Sequence, residues 1–135
     1  MMRTLKGILI FIIILGFTNL ACSMKALQQK KEFNEKVKIK YLLYLPKDYD
    51  KKGEPWPLLI FLHGAGERGN DLDKLKVHGI PKLIQNKKEF PFVIISPQCS
   101  QNGWWTEYAQ NLMALINQIK NDYNIDASRI YLTGL

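Results

Sequence analysis

The chain has 135 residues, of which 47% are hydrophobic, 23% charged and 11% aromatic; this composition is typical of a globular protein of one domain at most and excludes a disordered or fibrous one. The formal net charge is +7, but most of the excess comes from lysines that are scattered along the chain and do not cluster with aromatic residues in a nucleic-acid-binding module. We therefore expect a solvated, lysine-rich surface and no nucleic-acid partner.

A targeting segment is predicted at the N-terminus. Residues 1–6 carry two positive charges, and residues 7–17 (GILIFIIILGF) are an unbroken apolar run of 11 residues. A membrane-spanning helix needs about 20 such residues, so this run is better suited to the core of a signal peptide. We expect residues 1–21 to be a signal peptide and the protein to be exported, to a bacterial cell envelope, the periplasm or the medium.

Cys22 follows Leu20 and Ala21, and these three residues resemble the end of a bacterial lipobox. Asn19 departs from the aliphatic residue that a lipobox usually has there, and it fits ordinary signal-peptidase cleavage after Ala21 no better. We expect lipidation of Cys22, which would anchor the protein to a membrane, with simple secretion as the alternative. An acylated Cys22 would leave Cys99 without a disulfide partner in this chain, whereas a Cys22–Cys99 disulfide remains conceivable.

Four segments of the mature chain are predicted to be strands, after a polar stretch at residues 22–36 that is suited to a tether. Residues 37–46 (VKIKYLLYLP) alternate lysines with apolar residues, which predicts the start of the fold and a strand near the edge of a sheet. Residues 58–62 (LLIFL) and 92–96 (FVIIS) are apolar throughout and predict strands buried on both faces. Residues 130–133 (IYLT) predict a further short buried strand.

Two helical segments connect the apolar strands. Residues 70–88 have apolar positions at helical spacing, with Asn70 as the predicted N-cap and with Gly79 and Pro81 expected to divide the helix into two. Residues 107–123 place one apolar stripe on one helix face. The order strand, helix, strand, helix, strand predicts an α/β fold with a doubly wound, mostly parallel sheet.

The glycine-rich segment FLHGAGERGN, residues 61–70, is the first candidate site. It follows a buried strand, and ligands of open parallel sheets bind beyond the carboxyl ends of the strands. Its glycines let the backbone turn sharply and expose N–H groups, which can hold a developing negative charge on oxygen. The spacing is not that of a Walker loop, and the chain has no zinc-type ligand spacing, so we expect no metal. A plain glycine turn into a helix is the alternative.

Several motifs together resemble the N-terminal part of an α/β-hydrolase. They are YLLYLPKDYD (41–50), LHGAGERG (62–69), SPQC (96–99), the pair Trp104 and Trp105, and SRIYLTGL (128–135). The resemblance is to exported esterases and predicted peptidases grouped with polyhydroxybutyrate depolymerases, feruloyl esterases and dienelactone-hydrolase-like or phospholipase/carboxylesterase proteins, and it covers residues 37–135. It implies serine-dependent hydrolysis of a small-molecule or polymer-linked carboxylic ester, without a cofactor.

The resemblance also implies where the catalytic groups lie. In that family the last strand leads into a G-x-S-x-G turn that presents the catalytic serine, and the acid and histidine follow the serine in chain order. Gly134 and Leu135 match the first two positions of the turn, so the nucleophile would come next and the present chain would be inactive alone. A peptidase of the same fold and a non-catalytic, lipid-anchored remnant are the alternative functions.

Within the glycine-rich segment, the family resemblance assigns the backbone N–H of Ala65, with that of Gly66, to an oxyanion hole. It gives His63 and Gly64 a structural role beside that hole, with His63 ordering the backbone by hydrogen bonds and not serving as the general base. Gly134 is assigned a structural role in the turn.

The remaining candidates are weaker. Glu67 and Arg68 could contact substrate at the rim of the site, although an ion pair between them is the expected use. Trp104 and Trp105 could form the wall of an acyl pocket or simply pack the loop. His78 is expected in the middle of a surface helix, with a solvated or locally bonded role.

Overall fold

The computed structural model describes residues 28–34 and 38–135. The predicted signal peptide and Cys22, with its proposed lipidation, lie outside the described residues. Five strands are present, β1 (Gln28–Asn34), β2 (Lys38–Tyr44), β3 (Trp56–Leu62), β4 (Val93–Gln98) and β5 (Ile125–Gly134). The helices are α1 (Gly79–Gln85), α2 (Ala109–Asp122) and two short 3₁₀ helices, Ala65–Glu67 and Leu72–Val77. No helix in this described part of the chain is long and apolar enough to cross a membrane.

The strands form a single mixed sheet in the order β1-β2-β4-β3-β5. Strand β2 pairs antiparallel with both β1 and β4, whereas β3 pairs parallel with both β4 and β5. The three apolar strands are therefore parallel, because a helical crossover between each strand and the next returns the chain to the same end of the sheet. The carboxyl ends of β3 and β5 meet, with Leu62 opposite Gly134.

Helices cover both faces of the sheet. Strand β4 is buried along its whole length, as expected for an apolar strand enclosed on two sides. On one face, Leu115 and Ile119, one helical turn apart on α2, are fully buried against the core residues Ile39, Tyr41, Leu43, Leu58, Ile60, Val93 and Ile95. On the other face, α1 and the 3₁₀ helix Leu72–Val77 bury their own apolar residues against β2 and β4. The α/β architecture with a doubly wound sheet is therefore present.

The fold begins earlier than the sequence predicted. Residues 28–34, placed in the predicted tether, form β1, and β2 is consequently not the outermost strand. The polar sequence of β1 is explained by its edge position, where among residues 28–33 only Phe33 is buried, against Ile39 in the facing strand. Exposed edge strands commonly carry charged side chains, which discourage pairing with other chains.

Two further local predictions are wrong. The helix predicted over residues 70–88 is capped by Asp71, whose side chain accepts a hydrogen bond from the N–H of Asp73, and not by Asn70. It is interrupted at His78, and Gly79 opens α1 with a φ of +59°, at a point where any side chain would collide with the ring of Phe61. The strand at residues 130–133 exists within β5 but is exposed, because no strand among the described residues lies beyond it.

Candidate functional site

The loop that follows β3 and the end of β5 with Leu135 lie side by side. Because β3 and β5 are parallel neighbours, their carboxyl ends leave the sheet at the same edge, and the N–H of Leu135 donates a hydrogen bond of 3.2 Å to the carbonyl oxygen of Leu62. Gly134 permits this approach, since a Cβ atom there would lie 2.7 Å from the same carbonyl oxygen. The two segments singled out in the sequence thus form one site at the sheet edge where ligands of parallel sheets bind.

The glycine-rich loop presents backbone donors at this edge. Gly64 is extended, with φ −77° and ψ 178°, and the 3₁₀ helix Ala65–Glu67 is closed by a hydrogen bond of 3.3 Å from the N–H of Glu67 to the carbonyl of Gly64. Ala65 and Gly66 are exposed, and within residues 28–34 and 38–135 their N–H groups have no hydrogen-bond acceptor. Two free N–H donors therefore start the loop, which is the arrangement that can stabilise an oxyanion.

His63 links the loops that follow β3 and β4. Its side chain is buried, its Nδ1 lies 2.6 Å from the carbonyl oxygen of Gly64, and its Nε2 lies 3.0 Å from the backbone nitrogen of Cys99. The N–H of Cys99 must donate to Nε2, so the proton of the neutral ring is on Nδ1 and is donated to Gly64. Both ring nitrogens are occupied, which leaves His63 no free nitrogen to act as a general base.

The charge state of His63 agrees with that hydrogen bonding. Burial lowers the pKa of His63 below its ordinary value, and this effect outweighs the carbonyl of Gly64 and the carboxylate of Glu67, which raise the pKa. The guanidinium of Arg68 lowers it further. The neutral imidazole required by the Cys99 hydrogen bond is therefore the favoured form.

The expected ion pair between Glu67 and Arg68 is not formed. Arg68 Nε donates a hydrogen bond of 2.9 Å to the carbonyl oxygen of Ala65, and its guanidinium lies 4.2 Å from the centre of the Trp104 ring. Glu67 is buried beneath the loop, and its carboxylate lies 3.8 Å from Nε2 of His78. The Arg68 side chain therefore binds back to the first residue of the 3₁₀ helix Ala65–Glu67. The Glu67 carboxylate faces His78, where the following helical segment is interrupted.

The two tryptophans have different surroundings. Trp105 is half-buried, and its Nε1–H donates a hydrogen bond of 3.0 Å to the carbonyl oxygen of His63. Trp104 is 54% exposed and touches the site through its contact with Arg68. Both line a cavity of about 120 Å³ that also reaches Ala65 and Leu135. Trp105 thus packs the loop, whereas the exposed face of Trp104 is accessible to a ligand.

Cys99 lies beside this cavity as a buried thiol that forms no disulfide within the described residues. Burial raises its pKa to about 11, against a smaller lowering effect of Arg68, so the thiol is not poised as a nucleophile. In the described part of the chain, no three His, Cys, Asp or Glu residues are close enough to hold a metal ion.

Sequence reasoning did not identify the contacts that fix the loop. The hydrogen bonds from Cys99 to His63 and from Trp105 to His63 join residues 36 and 42 positions apart. The motifs LHGAGERG and SPQC contain two of these residues, but their spacing in the chain carries no information on which atoms meet. The stacking of Arg68 on Trp104 was missed for the same reason.

A larger cavity of about 550 Å³ lies at the opposite end of β3. It is lined by Trp56, Phe92, Arg129 and Tyr131 among others, and it adjoins the exposed strand β5. Its titratable lining residues, Asp48, Asp50, Glu54, Arg129 and Tyr131, are all exposed, so we assign the candidate site to the other end of the strands.

Neither a protein-family model nor a curated protein matches the chain. Solved structures do match. A thermostable esterase has 28% sequence identity and a TM-score of 0.62 over 80% of this chain and 34% of that chain. A mutant of the feruloyl esterase module from Clostridium thermocellum, complexed with sinapinate, has 15% identity and a TM-score of 0.62 over 84% of this chain and 46% of that chain.

An S-formylglutathione hydrolase from Agrobacterium tumefaciens matches with 15% identity and a TM-score of 0.50, over 82% of this chain and 49% of that chain. The chain therefore spans about a third to a half of the length of these structures. Since the likeness covers four-fifths or more of this chain, the described sheet and its helices correspond to a part of those larger folds.

Proposed function

Since the chain has the α/β-hydrolase fold of the esterases to which it is similar, we propose that it is the N-terminal part of a serine-dependent carboxylic ester hydrolase. One observation carries the proposal. The free N–H groups of Ala65 and Gly66 lie at the same sheet edge as Leu135, which is tied to the end of β3. In this fold the nucleophile stands on a sharp turn after such a strand, and Gly134 and Leu135 begin a turn of that kind.

The proposed reaction is acyl transfer in two steps. A serine on the turn after β5 attacks the ester carbonyl, and a histidine accepts its proton and donates it to the leaving alcohol. In the second step the same histidine takes a proton from water, which attacks the acyl-serine and releases the acid, and the proton returns to the serine. The carbonyl oxygen becomes an oxyanion that accepts hydrogen bonds from the Ala65 N–H and from the N–H of the residue after the serine. His63 holds the loop by binding the carbonyl of Gly64 and the N–H of Cys99, so that the donors are oriented before substrate arrives.

The triad is assigned to residues beyond Leu135, so that the 135-residue chain supplies the oxyanion donors but neither nucleophile nor base. We therefore propose that this chain has no esterase activity alone. The runner-up functions are a peptidase with the same apparatus and a non-catalytic, lipid-anchored remnant. Turnover of a short acyl ester and of a matched peptide amide by the full-length protein separates all three.

The substrate is proposed to be a small-molecule or polymer-linked ester. The comparison structures include an esterase module complexed with sinapinate, an aromatic acid. The exposed ring of Trp104 beside the small cavity offers an apolar face for an acyl or aromatic group, which supports an ester with such a group. No cofactor is required by this chemistry.

Export and lipid anchoring through Cys22 are proposed from the sequence pattern of residues 1–22. The mass of the mature N-terminus purified from cells tests this directly. A diacylglyceryl adduct on Cys22 that is lost in Cys22→Ala supports anchoring, an unmodified mature N-terminus supports secretion, and an intact Met1 contradicts export.

The decisive experiment replaces Ala65 by proline in the full-length protein. Proline replaces the N–H by a ring carbon and fixes φ, and the site accepts this ring, because Ala65 is the first residue of its helix and Gly64 has the extended conformation that a residue before proline prefers. We expect kcat to fall about 10²- to 10³-fold with folding intact. Ala65→Gly retains the N–H and is the control. An unchanged kcat in Ala65→Pro would contradict the proposed oxyanion hole.

A further inference from the structure

A groove of about 620 Å³ lies next to the candidate site and is lined by polar residues. Its rim carries Lys38 and Lys40 from β2 and Lys74 from the 3₁₀ helix Leu72–Val77, and its base contains Gln98 at the end of β4. We call it the lysine groove. Glu32 is the acidic residue of its lining, so the formal charge of the lining is three positive and one negative, or +2.

The three lysines of the groove form no close ion pair, although Glu32 lies opposite Lys40 in the facing strand. Among residues 28–34 and 38–135, none of the three has a carboxylate within 4.0 Å. The nearby carboxylate of Asp73 is already bound by Lys30 and Lys76, at 2.7 Å each. Unpaired ammonium groups around a concave surface produce a positive potential that attracts an anion.

The ammonium group of Lys74 lies at the groove, beside the backbone of Gly69. Its Nζ lies 3.5 Å from the position that a Cβ atom would take on Gly69, and Gln101 Oε1 lies 3.3 Å from the same position. Gly69 has a φ of +139°, so a side chain there would be strained as well as crowded. The backbone at Gly69 thus leaves space beneath the ammonium group.

The base of the groove is held rigidly. Gln98 is buried, and its Nε2 donates hydrogen bonds of 2.8 Å to the carbonyl oxygens of Glu67 and Asp71. These bonds fasten the end of β4 to the segment that carries both the free N–H groups and Lys74. The Gln98 side chain therefore positions both the lysine groove and the glycine-rich loop.

The groove also adjoins the candidate site. Arg68 and Cys99 line the small cavity beside Ala65, whereas the residues that directly follow them, Gly69 and Ser100, line the lysine groove. The N–H of Gly69 donates a hydrogen bond of 2.9 Å to the carbonyl oxygen of Cys99. The small cavity and the lysine groove are therefore separated by two hydrogen-bonded loop segments. A ligand with its ester in the cavity would have to reach past this backbone to contact the lysines.

We infer that the lysine groove binds an anionic group of the substrate, a carboxylate or a phosphate, that is separate from the ester. This inference rests on the proposed function and narrows its substrate class to esters that carry a second, negatively charged group. A sugar acid or a phosphorylated alcohol could supply that group. If the lysines form only a solvated surface, neither anion will bind more tightly than its neutral counterpart.

The binding test uses the full-length protein at low ionic strength and two matched pairs of probes, methyl glucuronoside with methyl glucoside and glycerol 3-phosphate with glycerol. Calorimetric titration should show that at least one anion binds more tightly than its neutral partner, with an affinity that falls as salt is added. Lys40→Gln and Lys74→Gln should each weaken that binding about two- to fivefold. Lys51→Gln removes the same charge in the exposed turn before β3 and should change nothing.

The kinetic test compares acetyl esters of the same probes. We expect kcat/KM to be higher for the preferred anionic ester, and Lys40→Gln and Lys74→Gln should lower that advantage while leaving hydrolysis of the neutral ester unchanged. Equal hydrolysis of anionic and neutral esters, unaffected by the lysine variants, overturns the inference and leaves the proposed function intact. Absence of all ester hydrolysis overturns the proposed function, and lysine-dependent anion binding then decides whether the groove is an anion site at all.

Discussion

The backbone N–H of Cys99 donates a hydrogen bond of 3.0 Å to Nε2 of His63, which joins the end of β4 to the end of β3 at the candidate site. Protonation of Nε2 would replace this acceptor by a donor, so that two N–H groups would face each other. The interaction therefore requires neutral His63, so the geometry of the glycine-rich loop should depend on pH.

The stability of the protein should consequently fall below neutral pH through His63. Its pKa is lowered in the folded state, so the unfolded state binds a proton first as the pH decreases. The contribution is complete above about pH 6.5, the ordinary value for histidine, and is lost as the pH falls from there toward the lowered folded value. Urea unfolding of the full-length protein between pH 5 and 8 measures it.

The variant His63→Gln isolates this effect, since it removes the titrating group and retains a side chain that can donate and accept. We expect the difference in free energy of unfolding between wild type and variant to decrease as the pH falls below 6.5. His78→Gln removes a histidine outside the loop and should retain the wild-type slope. A slope that persists in His63→Gln and disappears in His78→Gln would show that the wrong histidine has been assigned.

Gly134 should tolerate no side chain. A Cβ atom there would lie 2.7 Å from the carbonyl oxygen of Leu62, so Gly134→Ala must move β5 away from β3. We expect a destabilisation of about 1–3 kcal/mol and a loss of activity, because the proposed nucleophile turn moves with the strand. Thermal unfolding and ester hydrolysis of the full-length protein check both.

Gly66→Ala is the matched control for that substitution. No heavy atom lies within 4 Å of the position of its Cβ atom, and the N–H is retained. Stability should stay within about 0.5 kcal/mol of wild type. Equal losses in Gly66→Ala and Gly134→Ala would indicate a general cost of losing glycine and would contradict the close approach of the two strands.

Much of the fold was predictable because apolar runs with breakers at both ends leave few alternatives. Residues 58–62 lie in β3, residues 93–96 of the predicted strand 92–96 lie in the parallel strand β4, and α2 matches the predicted stripe within two residues. Strand β1 was missed because its stability comes from pairing with β2 and not from its own composition. The N-cap was misplaced by one residue, since Asn70 and Asp71 are both good caps and only the structure shows which side chain reaches Asp73.

The candidate site was predictable as a location but not as a set of contacts. Topology alone brings the segments after β3 and β5 together, whatever their side chains. Arg68 and Glu67 were wrongly expected to form an ion pair with each other. Their side chains point in different directions from adjacent positions of the 3₁₀ turn, so each contacts a different residue. Such contacts depend on packing between loops, which one sequence does not encode in its spacing.

Trp105 and Trp104 should differ in what they support. Trp105→Phe removes the hydrogen bond to the carbonyl of His63, and we expect about 1 kcal/mol of lost stability with a lower kcat. Trp104→Phe removes no hydrogen bond of the indole in the described residues and keeps a ring against Arg68. It should change KM more than stability. Urea unfolding and steady-state kinetics of both variants distinguish the two roles, and interchanged effects would contradict this assignment.

Substitution of the exposed residue Leu132 of β5 should have opposite effects in the isolated chain and in the full-length protein. Leu132 is 63% exposed and Tyr131 is 49% exposed, and no strand among residues 28–34 and 38–135 pairs with the outer edge of β5. Unprotected apolar edges promote association between chains. We therefore expect the 135-residue chain to self-associate, and Leu132→Lys to reduce that association in light scattering.

In the full-length protein, the proposed fold places further structure against β5, so that Leu132 becomes buried. There, Leu132→Lys should lower the free energy of unfolding, because an unpaired charge is costly to bury. Met113→Lys adds the same charge at an exposed position of α2, where Met113 is 57% exposed, and should have little effect on either protein. A full-length protein that is indifferent to Leu132→Lys would show that β5 is an outer strand there too, and the proposed position of the nucleophile after a central strand would be wrong.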